Sequence, residues 1–283
     1  MIARFQAWRK QPSIRRRLRI TGLLLLLIGV GWSVSALDLT WSDLSLYYVA
    51  LNVCILTPAL LFVAAITFRF TAASASEGVS TIQALRIVAH ANVAELLPLP
   101  GGALVRGAAL VDAGASAGVA TRLVLLTALL TLGLTIALSS AALVALDHRA
   151  WVWLTMISLT GVAITLFLLS RQAEARLLAG MVVIRLVSFT LSAARLVLAF
   201  AALGHTATWL EAALYTVAPS LGATVGIFPA GLGLNEAVAA GLAKLIASAP
   251  APAFLAVALN RVLGLAVGAA FVFVAEMCSE RKI

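Results

Sequence analysis

The chain has 283 residues, 63% hydrophobic and only 11% charged, with a formal net charge of +9 and a mean hydropathy of +1.08. Soluble domains run at about 45–50% apolar and about 25% charged residues. That composition excludes a water-soluble globule: most of the chain has the bilayer as its solvent.

The basic charge is concentrated at the start. Seven of the 20 Lys and Arg residues precede residue 20, namely Arg4, Arg9, Lys10, Arg15, Arg16, Arg17 and Arg19, with no acidic residue among them. Such a run holds an N-terminus in the cytoplasm and touches anionic lipid heads. No globular domain displays it as a patch, so nucleic acid is not an expected partner. We read residues 1–19 as a basic cytoplasmic segment and 20–283 as a single integral membrane domain, since no polar stretch within it is long enough for a soluble one.

The first predicted span is 20–37. A basic start, a leucine core and Val34-Ser35-Ala36 give it some features of a cleaved signal. About eighteen apolar residues after a long basic region favour an uncleaved helix. The turn 38–43 carries two acids and no Lys or Arg, and belongs outside. A second span covers 44–68, bent at Pro58. Residues 69–86 are polar, with Arg69 and Arg86 at the ends, and face the cytoplasm. The stretch 87–115 is apolar but interrupted. A third span covers 119–146, followed by the outer turn 147–149. A fourth covers 150–170, and Arg171 and Arg176 mark the cytoplasm again. A fifth covers 177–203. A second interrupted stretch, 206–248, precedes the last span at 253–275, whose end carries Arg281 and Lys282. Six full spans place both termini in the cytoplasm and every basic loop on one side.

Two full crossings need about forty well-apolar residues and a turn. Each interrupted stretch has Pro and Gly at its middle, and broken backbone at membrane depth is tolerated only where protein or water covers it. We read two re-entrant helical hairpins; two shorter full crossings per stretch are the alternative. The first break runs Pro98-Leu99-Pro100-Gly101-Gly102-Ala103-Leu104-Val105-Arg106. The second runs Pro229-Ala230-Gly231-Leu232-Gly233-Leu234-Asn235-Glu236. In each, proline ends a helix for want of an N–H, glycines turn the chain, and a charged residue opens the next helical run. The stretches enter from opposite faces. The predicted fold is therefore an all-α polytopic bundle of about six full spans with two oppositely oriented re-entrant hairpins, an inverted repeat. Substrate sites in such folds lie near the midplane where the repeats meet.

Charge at membrane depth is costly and marks interior pathways. Arg106 and Glu236, each beside a break, are the leading candidates. Arg106 sits unfavourably at a helix start, so it needs a partner: Glu236 of the opposite hairpin is expected, with Glu95 as the local alternative. Glu236 suits the positive end of its own helix. Arg185 and Arg195 lie about 15 Å apart along one span and line one groove if they face the same way. Arg261 lies in the last span and Glu211 in the second hairpin. Arg122, near a span start, reads as a snorkelling residue. Cys54 and Cys278 lack CxxC spacing, and His90, His148 and His205 are scattered, so no disulfide, metal site or cofactor is expected. No HExxH, GxSxG or carboxylate cluster appears, and no catalytic residue is assigned.

At the two breaks the sequence resembles a known family, the transmembrane region of lysylphosphatidylglycerol synthases and its stand-alone, flippase-like relatives. Asn92, Leu97-Pro98, Gly102 and Arg106 fit its first motif. Pro229, Gly231, Gly233 and Glu236 fit its second, more specific one, and Asn260-Arg261 fits a later Arg. The chain departs from the pattern at Pro100, Ala103 and Asn235, where the family commonly has charged residues, and with no soluble synthase domain read after the membrane region, aminoacyl transfer to lipid is not expected. The resemblance implies a bacterial inner-membrane protein that moves or presents a lipid, coupled to a separate lipid-biosynthetic enzyme. Some stand-alone relatives are associated with hopanoid or glycolipid pathways. Under this reading Asn92, Arg106, Arg185, Arg195, Glu236 and Arg261 bind an anionic phospholipid or polyprenyl-type head group. A lipid-modifying enzyme and a small-anion secondary transporter are the alternatives. The lipid, the direction and the oligomeric state do not follow from the sequence.

Overall fold

A computed structural model describes residues 27–37, 44–95, 101–225 and 231–280. Every regular element among them is helical. In chain order these are α1 (Leu27–Ala36), α2 (Leu46–Ala73), α3 (Thr81–Ala94), α4 (Gly101–Asp112), α5 (Ala117–Ala145), α6 (Val152–Leu169), α7 (Ala175–Ala202), α8 (Trp209–Tyr215), α9 (Val217–Val225), α10 (Leu234–Leu245) and α11 (Pro250–Glu280). The molecule is an all-α helical bundle. Five segments are long and apolar enough to cross a membrane: α2, α5, Arg149–Leu169 (which contains α6), α7 and Pro250–Val274 of α11. This makes the chain a multi-pass membrane protein. They correspond to the predicted spans over 44–68, 119–146, 150–170, 177–203 and 253–275. The predicted first span is described only from Leu27, as the short apolar α1.

The arms of the interrupted stretches are short. The helices α3, α4 and α10 have 14, 12 and 12 residues, below the roughly 20 that a spanning helix needs. In the first stretch α3 packs on α4; in the second α9 packs on α10, and α10 lies along α11. The loop expected over 69–86 is much shorter than predicted, because α2 runs on to Ala73 and α3 begins at Thr81. Ser80 starts α3 with a capping box, accepting from the Gln83 N–H while Gln83 accepts from the Ser80 N–H. Such a cap satisfies helix-end donors. Arg69 closes the connection by donating to the Val79 carbonyl and the Thr81 hydroxyl.

The second span departs from regular α-helix just ahead of Pro58. Asn52–Leu56 of α2 is π-helical, and the α-helix resumes at Thr57 with Pro58 in its first turn. Proline in an α-helix loses the bond to the carbonyl four residues back and clashes with it. One wider turn relieves both problems, and such bulges recur at functional sites.

Small residues let the helices approach, as membrane bundles require. One core gathers Ala193, Leu196 and Phe200 of α7, Tyr215 of α8, Ala239 and Ala243 of α10, and Ala253 and Ala256 of α11. A second joins α2, α3 and α4 around Phe68, Val88 and Leu110. A third holds Leu123 and Leu130 of α5 against Val162 of α6 and Met181 of α7. Helix α5 packs chiefly on α6 and α8 and meets α2 and α7 only sparsely. That sparse packing leaves room inside the bundle.

Candidate functional site

The room is a cavity of about 730 Å³ enclosed by α2, α3, α4, α5, α7, α9, α10 and α11. Both breaks contribute: Gly101, Gly102 and Arg106 from the first, Gly231 and Asn235 from the second. Pro98, Pro100 and Pro229 lie outside the described residues. At the second break the backbone explains its glycines, since Gly231 and Gly233 have φ of +68° and +76°, a region costly for other residues. Gly233 then serves as the N-cap of α10. Close approach explains Gly101 instead, because a Cβ there would overlap the Ala94 carbonyl of α3.

Three polar clusters line the cavity. In the first, Arg261 of α11 pairs with Glu236 of α10, Nη1 to Oε1 at 2.9 Å. The carboxylate is fully buried and lies in the first turn of its helix, where the helix dipole favours it. With its amide oriented to suit its neighbours, the adjacent Asn235 donates to the Ala218 carbonyl of α9 and accepts from Arg261. Gly222 of α9 makes this possible, since a Cβ there would overlap the Asn235 side chain.

The second cluster centres on Arg195 of α7. Its Nε donates to Asn52 Oδ1 at 3.0 Å and its Nη2 to the Asn260 carbonyl at 2.9 Å. Asn52 Nδ2 in turn donates to the Arg195 carbonyl and to Asn260 Oδ1, and Thr57 donates to Asn52. A buried Asn, an almost buried Arg and the π-turn of α2 thus tie three long helices together. Two donors of Arg195 are met by amide oxygens, and Gly264 of α11 leaves space for its guanidinium.

The third cluster is the loosest. Arg106 faces Glu95 at 3.8 Å, with both side chains more than a third exposed or close to it. Arg185 of α7 lies near enough for its charge to act on that of Arg106. Its Nε is buried and has no hydrogen-bond partner. Asn92 also faces the cavity, beside Gly268 of α11.

No protein-family model matches this chain, and no curated protein matches it.

The structure therefore brings Asn92, Arg106, Arg185, Arg195 and Arg261 to one cavity, with Glu236 paired to Arg261. It corrects one pairing. Arg106 does not meet Glu236: its acidic neighbour is the local Glu95, and Glu236 belongs to Arg261. The reason is reach, since Arg261 on the long α11 lies against α10, whereas Arg106 stays beside the end of its own hairpin. Glu211 is not a cavity residue either. It completes a capping box with Thr208 at the start of α8, accepting from the Thr208 N–H at 2.7 Å. Arg122 is exposed and donates to the Gln172 amide oxygen once that amide is set to its neighbours, as expected of a residue at a span end. Sequence reasoning missed Asn52. Its signal was a lone asparagine inside an apolar run, six residues before a proline.

Four arginines line this space, and the carboxylates of Glu95 and Glu236 answer two of them. A net excess of positive charge thus faces a partly open space within an apolar bundle, where electrostatic attraction is stronger than in bulk water. The rest of the wall mixes hydroxyl and amide groups, among them Thr67, Asn92 and Thr127, with apolar side chains, several of them on α5. Leu125 and Leu129 of α5 belong both to it and to the exposed surface of the bundle, so the cavity is continuous with the face that meets lipid chains.

Proposed function

We propose that this protein holds and translocates an anionic membrane lipid, with the head group in the cavity and the acyl chains along the α5 face. The observation that carries this reading is the cavity itself: about 730 Å³, within the usual range for ligand pockets, cationic in excess inside and apolar towards the lipid. An amphipathic anion is the ligand that satisfies both parts at once. The proposal extends to the family resemblance: Asn92, Gly102, Arg106, Gly231, Gly233, Glu236, Asn260 and Arg261, which carry it, all stand at or beside this cavity. It also extends to location. The basic loops favour cytoplasmic termini, and the resemblance implies a bacterial inner membrane and a substrate delivered by a separate lipid-biosynthetic enzyme.

The short arms of the two interrupted stretches favour re-entrant hairpins over full crossings. The lipid reading is preferred to a small-anion carrier because of the apolar wall at Leu125 and Leu129. The test is transfer of a fluorescent phosphatidylglycerol between leaflets of reconstituted vesicles. Transfer well above protein-free vesicles, reduced at least fivefold by Arg106→Gln, is the expected result. Transfer no faster than in protein-free vesicles, across anionic phospholipid and polyprenyl phosphate probes, overturns the proposal.

A further inference from the structure

A second, smaller cavity of about 90 Å³ lies between α5 and α7, and it shares Thr131, Arg185, Ser188 and Ser220 with the large one. The two spaces are therefore contiguous, and Arg185 stands at their junction. Beyond it the small space continues past Thr135 and Ser192 towards Thr216. The spacing is helical on both walls: Thr131 and Thr135 share one face of α5, and Arg185, Ser188 and Ser192 share one face of α7. A hydroxyl-lined groove thus leads from the arginine cavity along the long axis of both helices.

Polar residues between membrane helices commonly serve as glue, hydrogen-bonding across the interface. Here no hydroxyl donates from one helix to the other among the described residues. Thr131 donates to the Thr127 carbonyl, Thr135 to the Thr131 carbonyl and Ser192 to the Ser188 carbonyl, each within its own helix. The helices themselves meet sparsely. The Nε of Arg185, buried at the junction, donates to nothing. A guanidinium with a buried, unmet Nε in an apolar bundle is expensive unless something anionic visits it. The space beside it is about three waters' worth at about 30 Å³ each, enough for one tetrahedral oxyanion and too small for a sugar.

We infer that Arg185, with the Ser188 and Ser220 hydroxyls, forms a phosphate subsite, and that the α5–α7 groove is the route along which a phosphate head group leaves the large cavity. A guanidinium suits phosphate through its fork of N–H donors, and a serine hydroxyl can rotate to donate to a phosphate oxygen. The route rests on the lipid reading above; the subsite does not.

The test uses the full chain in detergent. Thermal protection is measured with short-chain phosphatidic acid, with inorganic phosphate, and with short-chain diacylglycerol as the phosphate-free control. Wild type, Arg185→Gln, Arg185→Lys and Thr135→Leu are compared, and the Arg185→Lys variant guards against loss of fold. Phosphatidic acid is expected to protect wild type and diacylglycerol is not. The apparent affinity should fall at least tenfold in Arg185→Gln and less in Arg185→Lys. Thr135→Leu, which narrows the groove beyond the junction, should bind phosphatidic acid normally yet transfer it between vesicle leaflets at least fivefold more slowly. Equal protection by inorganic phosphate, dependent on Arg185, supports the subsite and assigns it to a free anion, which removes the lipid reading. Protection that is the same in wild type and Arg185→Gln, or absent with both phosphate probes, overturns the subsite. Unchanged transfer in Thr135→Leu overturns the route.

Discussion

Glu236 and Arg261 form the most deeply buried ion pair among the described residues, with side-chain exposures of 0% and 10%. Removing one member of such a pair leaves an uncompensated charge, which costs far more than the pair contributes. Glu236→Gln should therefore lower stability by about 3 kcal/mol, read as a lower melting temperature in detergent. The double variant Glu236→Leu with Arg261→Met should recover most of that loss; a double variant as unstable as the single one would show that the pair is not an isolated unit. Gly222→Ala probes the same cluster from α9. Its methyl group lands on Asn235, so Asn235 must leave Arg261, and overpacking of this kind costs about 1–3 kcal/mol. A melting temperature matching wild type would mean that Asn235 has room elsewhere.

Among the elements, α2 carries the least expected feature. Its π-turn places Asn52 against Arg195 and Asn260, so the bulge serves as a strap between α2, α7 and α11. Asn52→Leu removes an acceptor from a buried guanidinium, and unmet donors of this kind cost about 1–3 kcal/mol. Asn52→Asp keeps the acceptor for Arg195 and adds a carboxylate, but it loses the two bonds that Asn52 Nδ2 donates to the Arg195 carbonyl and to Asn260, so it should lower the melting temperature and also weaken retention of an anionic lipid. A variant that retains lipid as wild type does would show that the charge excess of the cavity is not what attracts the ligand. The hairpins supply a second element-scale expectation. In a chain lacking Cys54 and Cys278, cysteines at Ala103 and Leu234 should react with small water-soluble thiol reagents and resist large impermeant ones from either face. Ready labelling by large reagents would place the breaks in ordinary aqueous loops.

The long helices were legible in the sequence because length and hydropathy alone decide whether a segment spans a bilayer. The cavity-lining arginines were legible for a related reason, since charge in an apolar run has few tolerable places to go. Partners were not. Arg106 was expected to reach Glu236 across the fold, but pairing depends on which helices lie side by side, and one sequence holds no record of the α10–α11 contact. The Arg195 network was hidden for the same reason, because two of its three members lie 143 and 65 residues away. The capping boxes at Ser80 and Thr208 were written plainly in the sequence, as Ser-x-x-Gln and Thr-x-x-Glu. They were obscured by reading 69–86 as a loop and Glu211 as a membrane-depth charge.

For the molecule as a whole, the helices, glycines and arginines make sense together if the bundle is built around a charged space rather than packed to its centre. Two of its core clusters supply residues to the wall of that space, and α5 meets α2 and α7 only sparsely. The central claim is that this space holds an anionic lipid through its arginines. Native mass spectrometry of the purified full chain tests that most directly, comparing wild type with the Arg106→Gln, Arg185→Gln double variant. Wild type should carry one anionic phospholipid through gentle detergent removal, and the folded double variant should lose it. Equal retention of anionic lipid by both proteins, or retention of neutral lipid in its place, would contradict the account.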